Sequence, residues 1–414
     1  MPSRDELLRL QTTTRYEDAV TTHRQTDVDH ARGGRGGMLH LSGVLPALSA
    51  AIGAPVSTAV HRDPDAVRRA LGIPQASSAI VVLVDGLGYW NLAGRIGHTP
   101  YLRSLLHDHA NQRPIATCAP STTAAAMATF GTGTCPGLTG MTGYTQRNPS
   151  NGKLSQLIQF KNAPDPADLQ RQPTIFEQLT TRGVRVTSSG LPKFENSPLT
   201  RAALRGAEYV GNDHANDRVK AACRAAATPG LTYLYIRDTD KIGHNYGWQS
   251  ERWIGALERV DAQLGMLSRL SPKGTLIVIV ADHGMISSVP QQRLDLREHE
   301  ELTEDVALVG GEPRSVMLYA QEEGAADRIA ERWRSILGDR AVVRTRDEAL
   351  GVGAYGLVDP RVRPMLGDVL VSAGEQLTIV DSRSQSDKAT RLPSVHGSLS
   401  MLESDIPCLI DVVS

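Results

Sequence analysis

The sequence has no excess of positive charge, and this absence excludes one large class of partner. Its 44 lysines and arginines are balanced by 45 aspartates and glutamates, which gives a formal net charge of -1. The basic residues are scattered along the chain, whereas proteins that bind nucleic acid polymers concentrate them in one patch or stripe. We therefore expect no DNA or RNA polymer as a partner.

Cysteine is also scarce, with four residues in a chain of 414. Their spacing is irregular and contains no CxxC pair, which excludes the common zinc and redox motifs built on such pairs. This pattern favours a reducing compartment, and we expect a cytoplasmic protein. The four residues are Cys118, Cys135, Cys223 and Cys408.

No apolar run is long and uninterrupted enough to cross a bilayer, which takes about 20 residues. Residues 35–38 and 39–56 together resemble the charged and apolar parts of a signal peptide, so export stays an alternative to a cytoplasmic location. The apolar part is interrupted by serine, glycine and proline, and we predict a short packed helix there instead. No association with a membrane is expected.

The domain organisation is indicated by length and composition. Residues 1–37 are polar and end in a glycine-rich stretch, a composition that buries little, so we predict a mobile N-terminal extension. For residues 38–414 we expect one large α/β domain rather than two domains. The segments at about 145–172 and 286–375 are less regular, and we predict that they are insertions that form a cap over a substrate cleft.

Short apolar, β-branched runs alternate with helical patterns along this domain. Such alternation predicts a mainly parallel sheet flanked by helices. The predicted strands lie at residues 79–84, 184–187, 231–236, 276–280 and 408–413. One helix is predicted near residues 101–107, and another over 250–270, where apolar residues repeat at spacings of four and three. A third begins at Thr174, the first residue of a capping box, and ends at Gly183.

Acidic residues and histidines stand just after several of these strands, at the edge where open α/β sheets bind ligands. Each has a structural explanation when it is taken alone, because Asp-Gly is a common turn and a lone histidine beside glycine is usually a loop residue. Together, three carboxylates and three imidazoles form a donor set that zinc prefers and manganese accepts. They are Asp85, Asp240, His244, Asp282, His283 and His396.

A hydroxyl-rich segment precedes an alanine-rich stretch that favours a helix. Thr123 therefore lies near a helix N-terminus, where the macrodipole and free N–H groups favour an alkoxide and a bound phosphoryl oxygen. We predict that Thr123 is a nucleophile. The structural alternative is that Ser121 or Thr122 serves only as an N-cap, which is compatible with a catalytic Thr123.

At this point the sequence resembles the nucleotide pyrophosphatase/phosphodiesterase family of the alkaline phosphatase superfamily, over roughly residues 78–413. The resemblance rests on five motifs in the family's order. They are Val-Asp85-Gly, Pro120-Ser-Thr-Thr123 with Thr132-Gly133 nine residues later, Asp240-Lys-Ile-Gly-His244, Ala-Asp282-His283-Gly284 and His396-Gly397.

This resemblance implies an α/β fold with an alkaline phosphatase-like core and a hydrolytic site with two divalent metal ions. It implies that one ion is held by Asp240, His244 and His396. The other would be held by Asp85, Asp282, His283 and the Thr123 oxygen. From the donor set we expect zinc, with manganese as the alternative.

The sequence departs from the family's pattern on the side that contacts the phosphate. After Thr132-Gly133 the family often has an asparagine that contacts the phosphate, and counting onward places Tyr144 there. The usual histidine of a Pro-x-x-His-Gly segment is Thr139 in this chain. These changes leave the implied metal ligands intact but leave the substrate contacts, including Tyr144, open.

Together these features predict a metal-dependent hydrolase of phosphodiester or nucleotide pyrophosphate bonds, with a phosphothreonine intermediate at Thr123. Two divalent ions supply four positive charges, and three aspartates with the alkoxide supply four negative ones. Such a near-neutral site should suit a small substrate with one negative charge at phosphorus, such as a nucleotide or another diester. An arginine or lysine that reaches in would change this balance.

Three alternatives stay open. A phosphomonoesterase or phosphomutase could use the same metal site, and a non-catalytic pseudoenzyme could use the fold to bind a nucleotide or another protein. A sulfatase is suggested by Cys118-Ala-Pro120-Ser121, but Thr122 stands where the sulfatase signature has arginine.

Overall fold

The computed structural model describes residues 1–11 and 39–414. A six-stranded sheet lies at its centre, and every neighbouring pair of strands is parallel except one edge pair. This confirms the predicted α/β fold with a mainly parallel central sheet. The strands stand in the order Cys408–Val412, Leu276–Val280, Ser78–Val84, Gly230–Ile236, Val186–Gly190 and Glu208–Gly211.

The two central apolar runs are strands because they are covered on both faces. Every residue of Ser78–Val84 and of Leu276–Val280 is buried, as continuous hydrophobic runs are in parallel sheets. Leu83 pairs with Val280 on one side and with Tyr235 on the other. The residues that follow these three strands therefore meet at one edge of the sheet.

The longest helix, Glu251–Leu270, begins after Ser250, whose side chain caps it by accepting a hydrogen bond from the N–H of Trp253. Its buried face contains the apolar repeat that the sequence predicts. The capping box at Thr174 is present in both directions and starts the helix Ile175–Thr181. Within the apolar stretch 39–56, the helix Val44–Ala51 is buried at every residue.

The other elements are short. Within the described residues, no helix is long and apolar enough to cross a membrane. In the described part of the chain the remaining α-helices are Arg4–Leu8, Pro64–Ala70, Tyr89–Ala93, Pro100–Leu105, Thr123–Thr132, Pro136–Thr139, Pro166–Leu169, Pro198–Ala203, Ala215–Ala226, Asp238–Tyr246, Ala326–Leu337, Arg346–Gly351, Asp387–Thr390 and Met401–Ser404. Two-stranded pairings join Ile115–Ala116 with Asp405–Ile406, Ile286–Ser287 with Ser394–Val395, and Arg293–Asp295 with Thr378–Val380.

A second sheet lies within residues 286–375, a segment that is more regular than its sequence indicates. Its four antiparallel strands, in spatial order, are Val306–Glu312, Ser315–Ala320, Val369–Ala373 and Ala341–Thr345. The helix Ala326–Leu337 packs on this sheet and shares a separate hydrophobic core with it, around Trp333.

Residues 145–172 begin with a hairpin of Thr145–Arg147 and Leu154–Gln156. It contacts the second sheet, because the Thr145 hydroxyl donates a hydrogen bond to the carbonyl of Gly311 over 2.9 Å. The two irregular segments thus lie together. Their role as insertions in a single domain, as a cap over a cleft, stays a prediction.

The predicted mobility of residues 1–37 is wrong for its first eleven residues. A capping box at Ser3 starts the helix Arg4–Leu8, and Leu7 and Leu8 are each only 8% exposed. They pack in a small apolar cluster with Val395 and Leu402. The overall polarity of this segment concealed two leucines that are buried by residues far along the chain. Residues 12–37 of that prediction lie outside the described residues.

Candidate active site

The two aspartates that follow the central strands are held by backbone N–H groups and by a tyrosine. The N–H groups of Gly86 and His283 each donate to Oδ1 of Asp282 over 3.0 Å. The phenol of Tyr235 donates to Oδ2 of Asp85. Asp85 is 4% exposed and Asp282 is 0% exposed, yet Oδ1 of Asp85 and Oδ2 of Asp282 have no hydrogen-bond partner among the described residues.

Gly86 explains the glycine after Asp85. Its φ of +72° lies in the left-handed region, and a Cβ placed there would be 2.9 Å from both Cα and Cβ of Asp240. A side chain at this position would therefore push the Asp85 turn away from the helix that carries Asp240. The close approach brings the two carboxylates into one site.

The unprotonated Nε2 of His283 faces the unpartnered oxygens of Asp85 and Asp282. Its Nδ1 lies 3.1 Å from the carbonyl oxygen of Gly284, which can only accept, so Nδ1 carries the proton. Its Nε2 lies 3.6 Å from Oδ1 of Asp85 and 3.4 Å from Oδ2 of Asp282. It also lies 3.1 Å from Oγ1 of Thr123. These atoms surround one point and suit a divalent cation.

A second group of donors lies beside the first. Asp240 and His244 stand one turn apart on the helix Asp238–Tyr246, and Nε2 of His244 is 3.1 Å from Oδ1 of Asp240. Nε2 of His396 is 3.8 Å from the same oxygen, which has no hydrogen-bond donor. The Nδ1 atoms of His244 and His396 face the carbonyls of Ser394 and Ser121 at 2.8 and 2.9 Å.

The two groups of donor atoms share His283. Its ring stacks on that of His396, with centroids 3.6 Å apart and an interplanar angle of 16°. Potential ligand atoms of Asp85, Asp282 and His283 lie within 4.8 Å of one another, and so do those of Asp240, His283 and His396. The structure thus brings all the candidate metal ligands together. It differs in one respect from the implied division, because His283 is close to both groups.

The electrostatics of the cluster favour bound cations. Burial, together with the charges of Asp282 and Asp240, raises the pKa of Asp85 well above its usual value. Burial and the neighbouring rings of His283 and His244 lower the pKa of His396 well below its usual value. Burial opposes a charge on Asp240 too, but His244 outweighs it and lowers the pKa of that carboxyl. The neutral imidazole of His396 and the crowded, unpartnered carboxylates are donors that suit a divalent ion.

Thr123 is the first residue of the helix Thr123–Thr132, as predicted, and is half-buried. Thr122 occupies the N-cap position, but its side chain makes no capping hydrogen bond. The Ser121 hydroxyl donates instead to the carbonyl of Ser398 over 2.6 Å. Neither hydroxyl therefore caps the helix, and Thr123 points its own toward His283.

Thr123 opens on a cavity of about 1090 Å³ between the central sheet and the second sheet. Its walls include aromatic, aliphatic and basic side chains. Tyr144 lines this cavity and is 41% exposed, and its backbone N–H donates to Oε2 of Glu312 over 2.7 Å. A substrate contact by Tyr144 stays a prediction.

Comparison with known proteins identifies the family. The sequence profile described as type I phosphodiesterase / nucleotide pyrophosphatase matches residues 79–399, most of the chain. The chain belongs to this family. No curated protein sequence is significantly similar to it.

Solved structures with the same fold include members of this family and a relative. An inactive variant of murine ectonucleotide pyrophosphatase / phosphodiesterase 5, in complex with AMP, has a TM-score of 0.65 and 17% identity, and the match covers 81% of this chain and 87% of that one. The human form of that protein has a TM-score of 0.62 and 16% identity, and the match covers 80% of this chain and 87% of that one. Phosphonoacetate hydrolase from Sinorhizobium meliloti 1021, in complex with phosphonoformate, has a TM-score of 0.60 and 20% identity, and the match covers 81% of this chain and 90% of that one.

Membership of the type I phosphodiesterase / nucleotide pyrophosphatase family makes the chain a hydrolase of the phosphoester type, in a family that generally uses two divalent metals. The sequence did not indicate the contribution of Tyr235. Its run of residues predicts only an apolar strand, although two tyrosines, Tyr233 and Tyr235, alternate toward the end of that strand. A polar-tipped aromatic at the carboxyl end of a central strand was the available signal.

Proposed function

We propose that the chain hydrolyses phosphodiester or nucleotide pyrophosphate bonds of small substrates, with Thr123 as the nucleophile. The observation that carries this proposal is the position of Oγ1 of Thr123. It lies 3.1 Å from Nε2 of His283, beside the unpartnered oxygens of Asp85 and Asp282. A hydroxyl at a helix N-terminus within such a donor set is arranged for activation.

Two divalent cations fit the site, and zinc suits its mixture of carboxylates and imidazoles better than magnesium does. Asp240, His244 and His396 would hold one ion. The other would be held by Asp85, Asp282 and His283, with Thr123. When bound, such ions stabilise an alkoxide and neutralise charge on the phosphoryl oxygens.

The chain's own residues then perform two displacements. Oγ1 of Thr123 releases its proton and attacks phosphorus in line; a P–O bond forms, the bond to the leaving oxygen breaks, and the leaving oxygen takes up a proton. Water hydrolyses the resulting phosphothreonine and returns the proton to Thr123. The N–H groups at the start of the helix Thr123–Thr132 face the phosphoryl oxygens during both steps.

The comparisons support a small phosphorylated substrate. The murine relative binds AMP, and the bacterial relative binds phosphonoformate. The cavity of about 1090 Å³ has room for a nucleotide. We propose a diester or a pyrophosphate rather than a monoester, on the balance of charge at the reacting phosphorus.

A phosphoester panel tests the proposal. The substrates are bis(p-nitrophenyl) phosphate, a nucleotide p-nitrophenyl diester and p-nitrophenyl phosphate, each with added zinc or manganese. We expect Thr123→Ala to lose about a thousandfold or more in kcat, while Thr122→Ala, which removes the neighbouring hydroxyl, keeps most of its activity. Equal activity of Thr123→Ala and wild type would overturn the nucleophile. Faster hydrolysis of the monoester would favour a phosphomonoesterase or phosphomutase.

A further inference from the structure

The cavity that opens on Thr123 is lined by four basic side chains from three separate segments. They are Lys193, Arg237, Lys241 and Lys388. In the part of the chain that the structure describes, none of the four forms an ion pair, although many other arginines of this chain do, such as Arg332 and Arg346. Unpaired cations that converge on one cavity repel one another and attract anions.

Three of these cations lie next to the candidate metal site. Tyr235, whose hydroxyl donates a hydrogen bond to Asp85, lies next to Phe194, and their ring centroids are 5.9 Å apart. Nζ of Lys193 is 5.1 Å from the Phe194 centroid, and the guanidinium carbon of Arg237 is 5.8 Å from it. Both cations thus lie near the ring of Phe194, which is in contact with Tyr235, the hydrogen-bond partner of Asp85.

Lys241 adds to this group from the helix that carries the second set of donors. It directly follows Asp240 and is exposed to the cavity. Burial and the charges of Arg237 and Lys241 lower the pKa of Lys193. The three positive charges are therefore close enough to disfavour one another, and among residues 1–11 and 39–414 no acidic side chain forms an ion pair with any of them.

An anion bound among these three residues would relieve that repulsion, whereas a neutral alcohol group would not. We propose that Lys193, Arg237 and Lys241 form a subsite for a second anionic group of the substrate, a phosphate or a carboxylate. The preferred substrate then carries a second negative charge beyond the reacting phosphorus, as a nucleoside diphosphate ester does, and is not a diester of two neutral alcohols. This inference rests on the proposed chemistry at Thr123.

Specificity ratios test the subsite. The ratio compares kcat/KM for ADP-ribose, which has a pyrophosphate, with kcat/KM for bis(p-nitrophenyl) phosphate, which has one anionic group. We expect Lys193→Ala and Arg237→Ala each to lower this ratio about tenfold, because each removes one charge-assisted hydrogen bond. Lys193→Arg should restore most of it. The matched control is Lys273→Ala, an exposed lysine at the opposite edge of the sheet, and its ratio should equal that of wild type.

Salt and competitors sharpen the test. Raising the ionic strength should lower the ratio in wild type and lower it less steeply in Lys193→Ala, because one of the three screened charges is then absent. Phosphonoacetate and pyrophosphate, set against methylphosphonate as competitors, show whether the second anion is a carboxylate or a phosphate. A ratio within twofold of wild type in both alanine variants would overturn the subsite. A parallel loss on both substrates, which a purely structural role would cause, would overturn it too.

Binding without turnover separates this inference from the proposed function. If wild type hydrolyses neither substrate, the proposed function fails, and calorimetry with Thr123→Ala still decides the subsite. ADP should then bind more tightly than AMP, and the advantage should disappear in Thr123→Ala with Lys193→Ala. Equal affinities of the first variant for ADP and AMP would contradict the subsite.

Discussion

A substitution at Tyr235 should perturb one part of the candidate metal site selectively, because its hydroxyl contacts only Asp85 among the three aspartates. It donates a hydrogen bond to Oδ2 of Asp85, whose Oδ1 is left for a metal ion. Burial, with the charges of Asp85 and Asp282, raises the pKa of Tyr235 well above its usual value, so the phenol stays a donor at all physiological pH values. Tyr235→Phe removes this donor and little else.

The magnitude follows from the kind of bond that is lost. A hydrogen bond to a charged group contributes about 1.5–3 kcal/mol, and changes in groups that orient metal ligands cost about 10- to 100-fold in affinity. We expect the ion held by Asp85, Asp282 and His283 to dissociate about 10- to 100-fold more readily. The ion held by Asp240, His244 and His396 should change little.

The assay is a zinc titration of metal-free protein against a chromophoric chelator, which resolves two affinities. Tyr233→Phe is a matched control, since Tyr233 lies two residues earlier on the same strand face and its hydroxyl meets only the sulfur of Met127, at 4.0 Å. It should leave both affinities unchanged. The reasoning is refuted if Tyr235→Phe behaves like Tyr233→Phe, or if it weakens both ions alike.

Three further perturbations test the electrostatics and the packing. Burial lowers the pKa of His61 to about 4, whereas its value in the unfolded chain is 6.5. The unfolded state therefore binds a proton before the folded state does, and the protein loses stability as the pH falls from 6.5 to about 4. His61→Asn should flatten that part of the curve of unfolding free energy against pH by roughly 3 kcal/mol, and an unchanged curve from denaturant titrations would contradict this. Leu8→Ala should cost about 2 kcal/mol by the same method, whereas Leu270→Ala, at a residue 51% exposed, should cost almost nothing; equal costs would argue against the N-terminal packing. A chelator should lower the Tm, because it leaves the buried Asp85 and Asp282 uncompensated, and a Tm that does not respond to chelator or to added zinc would count against the metal site.

The central sheet and much of the site could be predicted because their signals are local. Strands buried on both faces appear as unbroken apolar runs, as at Leu276–Val280, and the polar residues that end them stand next to them in the sequence. The sequence therefore predicts that Asp85, Asp282 and His283 lie at one edge of the sheet. The helix Glu251–Leu270 repeats its apolar residues over enough turns to be recognised.

Other parts depend on contacts between distant residues and left no local signal. Tyr235 reaches Asp85 only because it pairs with Leu83 across the sheet. The helix Arg4–Leu8 has five residues, too few for a periodic pattern, and its leucines are buried by residues near 395 and 402. Lys193 and Arg237 meet around Phe194 only after folding, which is why no basic group could be assigned to the cavity from the sequence.

The sequence of the second sheet is irregular for a similar reason, because its strands lack a clear local pattern. Its strand Val306–Glu312 contains two glycines and a register shift and is partly exposed over its first half. Such a strand lacks both the continuous apolar run of a buried strand and a clean alternation. The next strand, Ser315–Ala320, pairs on its other side with Val369–Ala373, about fifty residues further along the chain, so that pairing could not be inferred from a hairpin signal.

The central claim is that two cations share the cluster built from Asp85, Asp240, His244, Asp282, His283 and His396. Anomalous X-ray diffraction at the zinc absorption edge, on crystals grown with zinc, tests it most directly. The account predicts two strong peaks per chain, one among Asp85, Asp282 and His283 beside Thr123, and one among Asp240, His244 and His396. A single peak, or peaks away from these residues, would contradict it.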